Sequence, residues 1–92
     1  MAENRTHEDA AKRTMLLEHL QLANRHVVES EHRVTRQRRV LAKLRAKSQA
    51  TATAEWFLGY LRTSRVVHLV GRERLLQELA ILDERPGDST ET

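Results

Sequence analysis

Mostly apolar residues recur along this chain in two runs that alternate steps of four and three positions. The first run is Leu16, Leu20, Ala23, Val27, Ser30, Val34, Gln37, Leu41 and Leu44. The second run is Ala54, Leu58, Leu61, Arg65, His68, Arg72, Leu75, Leu79 and Leu82. This heptad spacing is typical of helices that pack along one seam, and the polar segment KSQATAT separates the two runs. The pattern predicts an all-α fold, a long antiparallel two-helix hairpin packed like a coiled coil.

The predicted helices span residues 7–47 and 53–84, and a short loop at 48–52 joins them. No proline or glycine interrupts the first helix, and the sequence RPGDSTET predicts the end of the second. We expect residues 1–6 to form a disordered N-terminus and residues 85–92 to form an acidic disordered tail.

Polar residues interrupt the seam near its centre. A short loop sets residues whose numbers sum to about 100–102 opposite one another, so Val34 should face His68 and Gln37 should lie near Arg65. The register predicts a hairpin with apolar ends and a polar middle. The residues of this predicted polar layer are Ser30, Gln37, Arg65, His68 and Arg72.

The structural interpretation of the polar layer is that it fixes the register and the number of chains, at some cost in stability. His68 would then be a core histidine hydrogen-bonded across the seam to Gln37 or Glu31. The alternative is a small helical enzyme whose interior Arg and Gln side chains hold a carboxylate substrate. The three helices and the Arg/Lys spacing of such enzymes are not found, so we expect no enzyme activity and no catalytic residues.

The histidines do not predict a metal site. No two of them have the i, i+4 spacing that lets two imidazoles share a zinc ion, and the HExxH pattern does not occur. Glycine-rich phosphate loops and paired catalytic carboxylates do not occur either, so no metal and no cofactor is expected.

The second predicted helix is apolar on two sides. Opposite its seam, at 100° per residue, it carries Trp56, Val66, Val67, Val70 and Ile81. A helix that is apolar on two faces is buried on two faces, which predicts an interface with another molecule. The simplest partner is a second copy, giving a homodimeric four-helix bundle. A different protein partner and scattered surface valines are the alternatives.

Charge is concentrated near the predicted loop. Seven Lys and Arg residues and no acidic residue lie between Arg33 and Lys47, although the net charge of the chain is only +3. Nucleic-acid phosphates are one natural partner of such a block. Anionic lipid, an acidic protein and a solvated helix face are the alternatives, and no helix-turn-helix, aromatic RNA-binding platform or zinc finger accompanies the block. The candidate nucleic-acid contacts are Arg36, Arg39, Lys43 and Arg45.

Cysteine is absent, which excludes disulfides, thiolate metal sites and thiol nucleophiles. No apolar run approaches the roughly 18–20 residues that a membrane span requires. The first residues include acids and lack the apolar stretch of a secretory signal. We therefore expect a cytoplasmic protein.

The segments RHVVESEHRVTRQRRVLAKL and TATAEWFLGYLRTSRVVHLVGRERLL resemble a group of small helical-hairpin proteins, uncharacterised in function, from rhizobia and other alphaproteobacteria. The resemblance covers Arg25 to Leu76 and follows the pattern RHxxExExxxxRQxxxxxxL. In the loop, Ser48 stands in place of a glycine and Ala50 in place of an aspartate, so we expect a differently built cap and αL turn. The resemblance implies a bacterial cytosolic hairpin and no activity. The matching positions are His26, Glu29, Gln37, Leu41, Leu44, Thr51, Ala54, Leu58 and His68.

These patterns favour a non-enzymatic interaction or scaffold protein that acts as a homo-oligomeric helical bundle. The alternative function is that of a small basic nucleic-acid-binding protein that uses the block from Arg33 to Lys47. The two hypotheses depend on different surfaces, the apolar face of the second helix and the basic face of the first.

Overall fold

The computed structural model describes residues 2–84, with side chains from His7 onward. It contains two helices: α1 spans Ala2–Ala46 and α2 spans Ala52–Glu84. The helices pack side by side in a rod that measures 72 × 16 × 14 Å, and no strand occurs in this part of the chain. The predicted all-α antiparallel hairpin is confirmed.

The inner ends of the two helices lie within one residue of their predicted positions, but α1 begins earlier than predicted. It starts at Ala2, which differs from the disordered segment predicted for residues 1–6. The segment AENRT contains no proline or glycine, and its Ala, Glu and Arg residues favour helix, so no residue in it ends the helix. The predicted acidic tail at 85–92 lies outside the described residues.

A Schellman motif ends α1 and reverses the chain. Ser48 adopts a φ of 55°, in the left-handed region. Its N–H donates to the carbonyl of Arg45 at 3.1 Å, and the N–H of Gln49 donates to the carbonyl of Leu44 at 2.9 Å. These two bonds satisfy carbonyl groups that the end of a helix otherwise leaves unpaired. The αL turn is therefore present, with serine at the position that usually selects glycine.

The centre of the hairpin is paired in a different register from the predicted one. His68 packs against His26, with ring centroids 5.2 Å apart, and not against Val34. Val34 instead belongs to an apolar cluster that contains Leu61. At the centre of the hairpin, residues of α1 therefore meet residues nearer to the start of α2 than the sequence predicted.

The loop explains this shift. Gln37 donates a hydrogen bond from Nε2 to the carbonyl of Ala54 at 3.1 Å, instead of lying near Arg65. Residues 49–51 are not helical, and at about 3.3 Å per residue they carry the chain back along α1 before α2 begins. The heptad pattern determines which face of each helix is buried, but it does not determine this axial offset.

Two apolar clusters hold the helices together, one at each end of the rod. The loop cluster comprises Val34, Leu41, Ala54, Leu58 and Leu61, with Leu44 packed against it. The open-end cluster comprises Leu16, Leu79 and Leu82, with Leu20 and Leu75 packed against it. The seam between the clusters contains buried Val27 but is otherwise mainly polar, with Ser30, Arg65, His68 and Arg72 at least partly buried, as the predicted polar middle requires.

Candidate interaction surfaces

Side chains of the polar layer bond to backbone carbonyls or contact a residue outside the layer. Ser30 is buried and donates from Oγ to the carbonyl of Val27 at 2.8 Å. His68 contacts the ring of His26, and within the described residues it makes no hydrogen bond to Gln37 or Glu31, so the predicted partners of His68 are wrong. His26 was not predicted as the partner of His68, because it lies one position beside the seam. Positions that flank a heptad seam also reach the facing helix, and this signal could have identified it.

Two arginines complete the polar layer. Arg65 and Arg72 are partly buried, and the Nε of Arg65 is buried without a hydrogen-bond partner in the described part of the chain. An unsatisfied buried donor costs about 1–3 kcal/mol. The buried Nε of Arg65 therefore weakens the hairpin locally. No group of three or more His, Asp or Glu side chains between His7 and Glu84 is arranged to hold a metal ion.

The face of α2 opposite α1 carries a second heptad. The five residues predicted as an interface are all exposed, from 52% for Val66 to 71% for Trp56. Four of them belong to a run that again alternates steps of four and three. This outer seam consists of Trp56, Tyr60, Thr63, Val67, Val70, Arg74, Gln77 and Ile81.

Two glycines lie beside the outer seam. Gly59 and Gly71 are inside α2 and exposed, and a Cβ atom added at either would meet no atom within 4 Å. Each glycine costs a helix about 1 kcal/mol relative to alanine. The hairpin itself therefore gives no packing reason for glycine at these two positions.

The basic surface lies on α1 near the loop. The four predicted nucleic-acid contacts are all exposed, and two of them, Arg36 and Arg39, line a surface cavity of about 300 Å³. Arg45 pairs with Glu55 at 3.3 Å. Among the described residues, no ion pair is formed by the other six cations between Arg33 and Lys47. The sequence prediction of a strongly positive loop half therefore corresponds to a largely unneutralised surface.

The three aromatic residues of the chain lie together on α2, and one of them, Phe57, borders this basic surface. The Tyr60 ring is near-parallel to those of Trp56 and Phe57, each with its centroid 6.2 Å away. Phe57 also lines a cavity of about 270 Å³ with Arg33 and Arg36 of α1. We call this cavity the aromatic groove; its other lining residues are Gln37, Val40 and Leu61. The sequence did not predict this groove, because only the fold brings the segment EWFLGY beside the arginines. Three aromatic residues within five positions were a signal that could have indicated it.

An ion pair joins the helices at the open end. Arg13 donates from Nε to the Asp83 carboxylate at 2.9 Å, and about half of each side chain is exposed. This hydrogen bond lowers the pKa of the Asp83 carboxyl and raises that of Arg13. Exposed pairs of this kind contribute little to stability, so the open-end cluster carries most of the contact there.

No helix among residues 2–84 is long and apolar enough to span a membrane. Comparison with models of known protein families, with curated proteins and with solved structures gives no match to this chain. The two surfaces described above, the outer seam and the basic surface with its aromatic groove, are therefore interpreted from their own residues.

Proposed function

We propose that this protein is a non-enzymatic assembly protein whose outer seam packs against a second copy of the chain in a four-helix bundle. The observation that carries the proposal is the second heptad, which continues from Trp56 to Ile81 on a face that α1 leaves exposed. In helical bundles, residues with this spacing pack into a facing helix. Single exposed apolar residues are ordinary on a monomer, but these residues keep one register along most of α2.

The small core of the hairpin supports the same proposal. Only nine apolar side chains are buried among the described residues, and the rod is two helices wide. Domains of this size bury a small fraction of their surface and often gain stability from an oligomeric interface. A second hairpin on the outer seam would add a second packed layer.

The two glycines also fit a facing helix. Gly59 and Gly71 flank the outer seam and have open space where a side chain would be. Glycine lets another backbone approach closely, which offsets its cost in helix stability. A second α2 packed on the outer seam would supply the neighbour that the single hairpin lacks.

An antiparallel arrangement of the two copies suits both the apolar and the charged residues. If pairs whose numbers sum to 137 face each other, Trp56 meets Ile81 of the second copy and Val67 meets Val70. The loop half of one copy, with nine Lys and Arg and three Asp and Glu in residues 26–68, would then lie beside the open half of the other. The open half, residues 7–25 and 69–84, has five Lys and Arg and seven Asp and Glu. A parallel arrangement would bring like-charged halves together.

Light scattering after size-exclusion chromatography, at tens of micromolar protein, tests the assembly. We expect twice the chain mass of 10.7 kDa at both low and high salt. The double variant Val67→Glu/Val70→Glu should be monomeric, because it places two charges in the interface. Leu22→Glu/Val28→Glu is the matched control, since these residues are 46% and 50% exposed on α1 and lie outside the outer seam. A monomeric wild-type chain would overturn the proposal.

Crosslinking tests the orientation separately, because the chain has no cysteine of its own. Trp56→Cys and Ile81→Cys chains are mixed and oxidised. The antiparallel bundle predicts a disulfide between the two different chains. A parallel bundle predicts only crosslinks between identical chains, because the two positions are about 37 Å apart along one helix. A dimer with that second result would keep the assembly and reject the orientation.

A further inference from the structure

The aromatic groove lies on the flank of the hairpin, between α1 and α2, at the loop half. Arg33 and Arg36 form its α1 side, and Phe57 forms its α2 side. From these residues we infer that the groove and the basic surface beside it bind single-stranded nucleic acid. In this inference the arginines hold phosphates and Phe57 stacks on a base.

Charge favours a polyanion as the ligand. Arg33 and Arg36 are exposed, and neither forms an ion pair within residues 7–84. Arginine binds phosphate through two parallel N–H donors and also stacks on planar rings, which makes it well suited to nucleic acid. A third arginine lies near the groove, because Arg36 also lines the cavity that contains Arg39. A strand that crosses the groove would therefore meet phosphate-binding groups along its α1 side.

The aromatic residues favour a single strand over a duplex. Phe57 is 41% exposed and lies outside the outer seam, so its ring offers surface to a ligand in either the monomer or the dimer. The bases of a single strand are free to stack on such rings, whereas the bases of a duplex already stack on each other. The cavity of about 270 Å³ is small, which suits one planar group of a longer strand rather than an enclosed metabolite.

This site does not depend on dimerisation. The groove faces the α1 side of Phe57, whereas the proposed interface centres on Val67 and Val70 of the opposite face. A dimer would carry one groove on each hairpin. Binding by the monomeric variant Val67→Glu/Val70→Glu therefore separates the two proposals, because loss of assembly should leave binding of one strand per chain.

Fluorescence anisotropy with a labelled oligothymidylate of about 15 nucleotides tests the inference at low and high salt. We expect binding that weakens steeply as salt rises. The variant Arg33→Ala/Arg36→Ala should bind about tenfold more weakly at low salt, and the slope of log affinity against log salt should fall by about 1.4. The control Lys12→Ala/Arg25→Ala removes the same charge from exposed residues of α1 in the open half, and its affinity should change less than about twofold.

A second variant tests the stacking. Phe57→Leu keeps an apolar side chain but removes the ring, and we expect affinity to fall by about fivefold or more with an unchanged salt slope. Far-UV circular dichroism verifies that the variant stays helical. No binding of the wild-type chain at low salt overturns the inference. It is also overturned if Phe57→Leu binds like wild type, if the open-half control weakens equally, or if duplex DNA or polyglutamate binds as tightly as the single strand.

Discussion

The loop half of the hairpin, residues 26–68, and the open half, residues 7–25 and 69–84, share one architecture but differ in surface chemistry. Each half is held by its own apolar cluster. The loop half collects nine of the cations in these ranges and all three aromatic residues, whereas the open half has more acids than bases. The seam therefore provides the same fold at both ends, and the residues outside the seam differentiate the ends.

The halves also differ in how far apart in sequence their contacting residues lie. Contacts in the loop cluster join residues close in sequence, and the Schellman turn fixes their approach. Contacts at the open end join residues such as Arg13 and Asp83, 70 positions apart. Closing a longer loop has a larger entropic cost, so the open end can separate while the loop half stays folded.

The largest expected effect comes from truncating one leucine in each cluster. Leu41 in the loop cluster and Leu16 in the open-end cluster are 5% and 2% exposed, so the change to alanine removes the same buried groups. We expect Leu41→Ala to lower the free energy of unfolding by about 3 kcal/mol and Leu16→Ala by about 2 kcal/mol, because the open end can lose contacts without global unfolding. Urea unfolding at fixed protein concentration measures both, and a larger loss for Leu16→Ala would contradict the comparison.

A variant of Arg65 compares the contribution of the polar layer to stability with that of the apolar clusters. Replacing it with leucine removes the unsatisfied buried Nε and should raise the free energy of unfolding by about 1–2 kcal/mol. The control Arg62→Leu changes an exposed arginine of the same helix and should have little effect on stability. Thermal unfolding of both variants measures the difference, and destabilisation by Arg65→Leu would mean that the guanidinium contributes to the packing.

Substitutions of Ser48 test how much the turn contributes to the stability of the loop half. A side chain costs roughly 1–2 kcal/mol in the left-handed region, and glycine avoids this cost but has a more flexible unfolded state. We expect Ser48→Gly to raise the free energy of unfolding by about 0.5–1 kcal/mol. Ser48→Ala keeps a Cβ atom and should give no such gain, which distinguishes relief of backbone strain from loss of the hydroxyl.

The smallest effect concerns the ion pair at the open end. The Arg13 hydrogen bond lowers the pKa of Asp83. The ion pair therefore contributes to stability above pH 3.8, the ordinary pKa of an aspartate, and this contribution is lost as the pH falls through the lowered pKa. Asp83→Asn should remove this dependence, and Glu84→Gln should retain it. Amide exchange of the last turn of α2 across the acidic range measures the change, and equal profiles for wild type and Asp83→Asn would contradict it.

Much of the fold was predictable because burial follows periodicity. All eighteen predicted seam positions are buried or partly buried, including the polar ones. The exposed apolar face of α2 was predicted as well, since the helical period separates Val67 and Val70 from the seam. The pairing of His26 with His68 was not predicted, because it depends on how far residues 49–51 carry the chain back along α1.

The sequence by itself determined the two helices, the face that each buries and the concentration of positive charge near the loop. These properties follow from spacing along one chain, which the helical period converts directly into direction around an axis. Only the tertiary structure decided the register, the hydrogen bond from Gln37 to Ala54 and the meeting of Phe57 with Arg33. These contacts depend on the axial offset between helices, and the offset is determined by the left-handed turn at Ser48 and the short non-helical segment that follows it.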